Sequence, residues 1–98
     1  MDLEVQKNNL RQTIERAYTD AIASLKSFRA AGTSLEANEE SWEYAQKRYE
    51  QGAMNQFDYE RTRNQFLNAT AQLLQSKYEY IFKVKVLEFY LTNNTITL

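Results

Sequence analysis

The chain has 98 residues, 43% of them hydrophobic and 26% charged, which is the composition of one small folded domain. Twelve basic and thirteen acidic residues give a net charge of −1, which argues against nucleic acid as a partner. Cysteine and histidine are absent, which excludes thiol and imidazole chemistry, so we predict no catalytic residue, no metal site and no cofactor.

Residues that form tight turns are scarce, since the chain holds two glycines and no proline. A sheet of several short strands would need such residues at regular intervals. The sequence therefore predicts an all-α protein. Nowhere do eighteen apolar residues follow one another, and the first residues lack the apolar core of a signal peptide, so we expect no membrane-spanning helix and no export signal in this chain.

One amphipathic stripe runs along the first half of the chain. Its residues are spaced by seven and fall on a single line: Ile14, Ala21, Phe28, Leu35, Trp42 and Tyr49. This spacing predicts one helix over about residues 2–50. A competing interpretation breaks the helix at Gly32, because Thr33 and Glu36 form a Thr-x-x-Glu capping box, and gives a three-helix bundle. The stripe keeps its phase across Gly32, which favours the continuous helix.

The second half opens with a turn at about residues 51–55. Gly52 is placed to adopt the left-handed conformation just past a helix end. Asn55 is placed to cap the next helix, with Asp58 near the positive end of that helix dipole. A second helix is expected over about residues 56–91, followed by a frayed tail at 92–98. The prediction is a long antiparallel coiled-coil hairpin that forms a single domain.

The second helix has an apolar surface too broad for one partner. We take one line as the seam with the first helix and a second line beside it as an outer face. The first line is Leu67, Ala71, Leu74, Tyr78 and Ile81, and the second is Phe66, Leu73, Tyr80 and Leu87. Lateral neighbours in addition to the first helix are therefore expected.

An acidic group on the first helix, formed by Glu36, Glu39, Glu40 and Glu43, is interpreted as a solvated face. Di-metal centres built on helices use Glu-x-x-His, and this chain has no histidine.

Several short motifs at fixed distances resemble the C-terminal half of the TolC-like outer-membrane efflux proteins. They are Tyr49-x-x-Gly52 followed by Asp58, then Phe66-Leu67-x-Ala69, Leu73-Leu74-Gln75 and Ser76-Lys77-Tyr78-Glu79-Tyr80-Ile81. The resemblance extends over about residues 10–91. Its most informative parts are the tyrosine–glycine turn with its aspartate and the Tyr-acidic-Tyr sequence.

The resemblance implies a hairpin from the periplasmic α-helical barrel of a homotrimeric channel that serves efflux or type I secretion. It also implies a periplasmic membrane-fusion adaptor and an inner-membrane pump as partners, and membrane contact only through parts that this chain lacks. Phe28, Leu35, Trp42, Leu67, Leu74, Tyr78, Tyr80 and Ile81 would form the hairpin and lateral packing. The turn would lie at the periplasmic entrance, which closes in the resting channel.

The resemblance places Tyr49 and Asp58 near that entrance, where a ring of Asp58 side chains would favour cations. Two positions depart from the family pattern: Met54 replaces an arginine that some members carry, and Arg61 replaces a frequent second aspartate. Either different polar contacts keep this entrance closed, or the constriction is less acidic than usual. Tyr49 as a plain core residue and Asp58 as a plain helix N-terminal charge are alternative interpretations.

Two other classes remain as alternatives to the channel. An adaptor-type periplasmic hairpin also presents long antiparallel helices, although such hairpins usually carry an arginine–leucine pair near the turn, and GAMNQFDYER has none. A generic coiled-coil dimerisation module is disfavoured by the width of the apolar face on the second helix.

Overall fold

The fold is a long antiparallel hairpin of two α-helices, seen in a computed structural model that describes residues 2–97 and the side-chain surroundings of residues 2–93. Helix α1 spans Asp2–Glu50 and helix α2 spans Gln56–Thr97, and the described residues contain no strand. The hairpin measures 75 × 19 × 14 Å. Its length is that of 49 residues at about 1.5 Å rise each, so α1 alone sets the long dimension.

Helix α1 passes through Gly32 without a break, which confirms the continuous helix and excludes the three-helix alternative. The Thr33 hydroxyl donates a hydrogen bond to the Arg29 carbonyl at 3.2 Å, within the same helix, and so does not act as an N-cap. A break here would cost the packing of every seam residue on one side of Gly32. The free energy of that packing outweighs the helix-propensity cost of an interior glycine, which is about 1 kcal/mol relative to alanine.

Helix α2 begins at Gln56, as the sequence predicts, but it ends at Thr97. The expected end near Leu91 is therefore wrong, since the helix continues to Thr97, while fraying of the tail stays a prediction and residue 98 lies outside the described residues. The physical reason is that no proline or glycine follows Leu91. Asparagine and threonine are poor helix formers, yet each costs well under about 1 kcal/mol and does not end a helix.

The two helices meet along a seam of residues spaced alternately three and four apart, as in a coiled coil. The α1 side of the seam is Ile14, Ala17, Ala21, Ser24, Phe28, Ala31, Leu35, Asn38, Trp42 and Ala45. The α2 side is Tyr59, Thr62, Phe66, Ala69, Leu73, Ser76, Tyr80, Lys83, Leu87 and Tyr90. All of these side chains are buried or half-buried.

The core of the isolated hairpin is thin. Among the described residues only four side chains are buried, all of them alanines, and no large side chain is fully buried: the four are Ala17, Ala21, Ala45 and Ala69. Two helices side by side leave much of each large seam residue in contact with water. Many large apolar side chains of this chain therefore stay exposed to solvent in the hairpin alone.

Stacked aromatic rings set the register of the seam. The Phe28 and Tyr80 rings lie 6.1 Å apart between centroids and nearly parallel, at 19°. Trp42 and Phe66 lie 6.5 Å apart at 14°. A shift of one helix by a single residue would separate both pairs, so the rings select one alignment of α1 and α2.

The assignment of the two apolar lines on α2 is corrected by these contacts. The line of Phe66, Leu73, Tyr80 and Leu87, expected on the outside, forms the seam. The line of Leu67, Leu74, Tyr78 and Ile81, expected in the seam, is exposed by 41–63%. The lines lie about 100° apart on the helix, so periodicity alone does not choose between them. The aromatic rings on α1 decide which line forms the seam, because they stack on Phe66 and Tyr80.

The two glycines have opposite structural demands, and we expect opposite responses to alanine. A methyl group at Gly32 would lie 3.9 Å from Leu73 Cδ1, an ordinary contact, so Gly32→Ala should raise the unfolding free energy by about 1 kcal/mol. Gly52 has a φ of 73°, which disfavours a residue with a Cβ atom, so Gly52→Ala should lower the unfolding free energy by about 1–2 kcal/mol. Urea unfolding followed by circular dichroism measures both. A loss of stability in Gly32→Ala would contradict the straight helix.

Candidate functional site

The chain reverses direction at the hairpin tip, through hydrogen bonds that end α1. The Gly52 N–H donates to the Tyr49 carbonyl at 3.0 Å, and the Ala53 N–H donates to the Arg48 carbonyl at 2.9 Å. This pair of bonds, with Gly52 at a φ of 73°, is a Schellman motif, and it satisfies carbonyls that the helix end leaves open. The left-handed conformation predicted for Gly52 is confirmed.

Asn55 caps α2, as predicted. Its Oδ1 accepts a hydrogen bond from the Asp58 N–H at 2.8 Å, and its Nδ2 donates to Asp58 Oδ2 at 3.1 Å. The Arg61 Nη2 lies 3.5 Å from Asp58 Oδ1. Asp58 therefore has polar partners on both sides within its own chain, and its carboxylate lies near the positive end of the α2 dipole.

Arg48 links the end of α1 to the turn, and the sequence analysis missed this residue. Its Nη2 donates to the Ala53 carbonyl at 3.1 Å, and its guanidinium carbon lies 5.6 Å from the centre of the Tyr44 ring. The signal was available in the sequence. A basic residue in the last turn of a helix meets unpaired carbonyls, and Tyr44 precedes Arg48 by one helical turn.

Aromatic packing holds the two helices together directly behind the turn. The Tyr49 and Tyr59 rings are stacked with centroids 4.2 Å apart, and Trp42 lies 5.0 Å from Tyr59. Tyr49 thus continues the seam to the tip while leaving 41% of its surface exposed. The two apolar lines predicted for the second helix do not include Tyr59. Its partner became visible only once the antiparallel register was known.

The remaining tip residues differ in exposure. Met54 is half-buried in the turn, whereas Phe57, in the first turn of α2, exposes 74% of its surface. All residues predicted for the entrance lie within the turn or within about two helical turns of it: Tyr49, Gly52, Met54, Asn55, Asp58 and Arg61. Direct contacts join Asn55 to Asp58 and Asp58 to Arg61. The predicted polar set therefore forms one local network.

An outer stripe runs along α2 on the side away from α1. It is formed by residues spaced four and three apart: Leu67, Ala71, Leu74, Tyr78 and Ile81. The exposed fractions of its large members are 48% for Leu67, 52% for Leu74, 63% for Tyr78 and 41% for Ile81. Single exposed leucines are common on protein surfaces, but a continuous line with coiled-coil spacing is not. Helix α2 therefore presents apolar residues on two sides, at the seam and at the outer stripe.

Other kinds of site find little support in the part of the chain that the structure describes. Residues 2–97 contain no group of three or more carboxylate, histidine or cysteine side chains placed to hold a metal ion. The acidic residues Glu36, Glu39, Glu40 and Glu43 are all exposed, as a solvated face requires. Neither helix, over the described residues, has a stretch apolar enough to cross a membrane.

The fold and the outer stripe define a class of protein, namely long helical hairpins that offer a second coiled-coil surface beyond their own seam. A family model for the outer membrane efflux proteins matches residues 2–92. The chain belongs to the outer membrane efflux protein family, which is a family of transport proteins, and the resemblance found in its motifs is confirmed. No curated protein and no solved structure matches the chain.

The Asn55 cap gives a direct test of the tip. We expect Asn55→Ala to lower the unfolding free energy by about 1 kcal/mol, because the Asp58 N–H loses its acceptor. Asn64→Ala, in the exposed interior of α2, is the matched control and should change stability by no more than about 0.5 kcal/mol. Thermal unfolding of both variants measures the difference. Equal effects at the two positions would show that the side chain of Asn55 does not cap α2.

Proposed function

We propose that this hairpin is a wall element of the periplasmic α-helical barrel of a homotrimeric outer-membrane channel, a passive duct for efflux or type I secretion. The observation that carries the proposal is the outer stripe of α2, in a chain that belongs to the outer membrane efflux protein family. In this arrangement the turn at residues 51–55 lies at the periplasmic entrance. A membrane-fusion adaptor and an inner-membrane pump engage the channel there.

The two apolar sides of α2 support the proposal, because a helix in the wall of a barrel has a neighbour on each side. The seam supplies one neighbour, α1, and the outer stripe supplies a surface for the other. A helix that needed only one partner would carry polar residues on its faces outside the seam. The thin core of the isolated hairpin agrees with this role, since lateral packing would bury the apolar surface that two helices leave exposed.

The tip network supports an entrance that differs from a simple acidic ring. Asp58 is engaged by Asn55 and Arg61 of the same chain, so its carboxylate is partly neutralised before any neighbour approaches. A link from Asp58 to another hairpin would have to share or replace the Arg61 contact. The side chain of Asp58 is 41% exposed and that of Arg61 is 61% exposed, so their ion pair contributes at most about 1 kcal/mol to stability. An adaptor could therefore displace this contact at little cost in free energy.

The outer stripe gives the main test. We expect the hairpin to self-associate in solution and the variant Leu74→Glu with Ile81→Glu to be monomeric while keeping its helicity, because both changes place charges on the lateral surface. The control is Gln65→Glu with Gln72→Glu, which adds the same charge to an exposed polar face and should still associate. Sedimentation equilibrium measures the mass, and circular dichroism measures the helix content.

A wild-type hairpin that stays monomeric, helical and soluble at high concentration would contradict the barrel proposal. It would favour a self-contained interaction hairpin of the adaptor type. Association that both double variants abolish would also count against the proposal, since it would depend on net charge and not on the outer stripe.

The entrance role of Asp58 has a separate test in the assembled channel. We expect Asp58→Asn to lower the preference of the channel for K⁺ over Cl⁻, and Arg61→Gln to raise it, because each change alters the charge of a threefold ring. The reversal potential across a planar bilayer under a KCl gradient measures both. If neither variant moves the reversal potential, Asp58 acts only as a charge at the N-terminus of α2.

A further inference from the structure

The two broad faces of the hairpin differ in charge over its middle stretch. One of them, which we name the neutral face, is marked by Ser27, Ser34, Ser41, Asn68, Gln72 and Gln75. All six are exposed and uncharged. On α1 the residues that alternate with the serines on this face are also small, with Ala23 before Ser27 and with Ala30 and Ala37 between the serines. Apart from Glu79 at one end of the stretch, the neutral face therefore offers hydroxyl, amide and methyl groups to its surroundings.

The opposite broad face carries charges over the same stretch. Its exposed residues include Arg29, Glu36 and Glu43 on α1 and Arg63 and Lys77 on α2. Surface helices in water ordinarily carry charged residues on all solvated sides, and this face follows that pattern. The scarcity of charge on the neutral face is thus a feature of one side of the hairpin and not of the whole chain.

An open groove of about 510 Å³ runs between the helices on the neutral face. It exists because the seam residues on this side are small, with Ala31 and Ser76 at its floor and Ser34 and Gln72 at its edges. The seam residues that alternate with them are large, as in the stacked pair of Phe28 and Tyr80. The interface between α1 and α2 is therefore narrow on the neutral side and filled by bulky side chains on the other.

This asymmetry fits a curved wall. When helices close into a barrel, the surfaces of neighbouring helices converge towards the lumen and diverge towards the outside. Small residues are then required on the lumen side of each interface, and large residues fill the outer side. Given the barrel proposed above, on which this inference rests, we infer that the neutral face lines the lumen and contacts the cargo.

The consequence concerns what the duct selects. From Ser27 to Ser41 is fourteen residues, which is about 21 Å of wall at about 1.5 Å per residue. Over this length cargo meets hydroxyl and amide groups, together with the carboxylate of Glu79, which lines the groove at the end near Ser27. Beyond Glu79 such a wall stays hydrated and discriminates little between anionic, cationic and neutral solutes. The charged groups that can discriminate lie at the ends of the stretch, with Arg48, Asp58 and Arg61 at the tip.

Single cysteines test which face lines the lumen, and this chain has no cysteine of its own to interfere. The experiment uses the complete channel that carries this hairpin, otherwise free of cysteine, in a planar bilayer. Gln72→Cys lies on the neutral face, and Thr70→Cys is the matched control two residues away on the other side of α2, also exposed. A cationic methanethiosulfonate reagent is added, and single-channel conductance for K⁺ is recorded.

We expect modification of Gln72→Cys to lower K⁺ conductance, because three cationic adducts then lie in the lumen, and modification of Thr70→Cys to leave it unchanged. Ser34→Cys, across the groove from Gln72, should behave like Gln72→Cys. A drop confined to Thr70→Cys would overturn the face assignment while leaving the barrel intact. Failure of the reagent to reach either Ser34→Cys or Gln72→Cys would also overturn it, since another helix would then fill the groove. A wild-type protein that forms no channel would overturn the proposed function itself.

Discussion

The antiparallel heptad seam is the constraint on which the rest of this structure depends. Its aromatic pairs, Phe28 with Tyr80 and Trp42 with Phe66, fix the axial alignment of α1 and α2. Once that alignment is set, the turn has to span residues 51–55, and every other side chain is assigned to a face of the hairpin. The continuity of α1 through Gly32 follows from the same constraint, since a break would remove half of these contacts.

The seam also explains why the hairpin is incomplete as a stable core. Only alanines are buried among the described residues, so the large seam residues remain partly in water. The same helix that closes the seam carries the outer stripe on its far side. In the proposed barrel, lateral packing of neighbouring hairpins buries the outer stripe and also shields the large seam residues from water.

The tip behaves as a separate local unit. The Schellman bonds at Gly52, the Asn55 cap and the Arg48 contact with Ala53 involve residues only a few positions apart in sequence. They need no neighbouring hairpin to form, so the geometry of the turn is set before assembly. In the proposed channel this gives the entrance a preformed shape, while weak exposed contacts such as that of Asp58 with Arg61 remain available for change.

The sequence by itself determined the local features. Heptad spacing predicts the two helices, and the scarcity of glycine and proline predicts a single turn. Gly52 and Asn55 predict how that turn ends one helix and caps the next. All of these features depend on residues close together in the chain. Only the tertiary structure decided which apolar line of α2 faces α1. Two lines about 100° apart are equally periodic, and the choice between them rests on ring contacts between residues far apart in sequence. The same contacts decided that Tyr59 belongs to the tip packing and that the middle stretch of one broad face carries few charges.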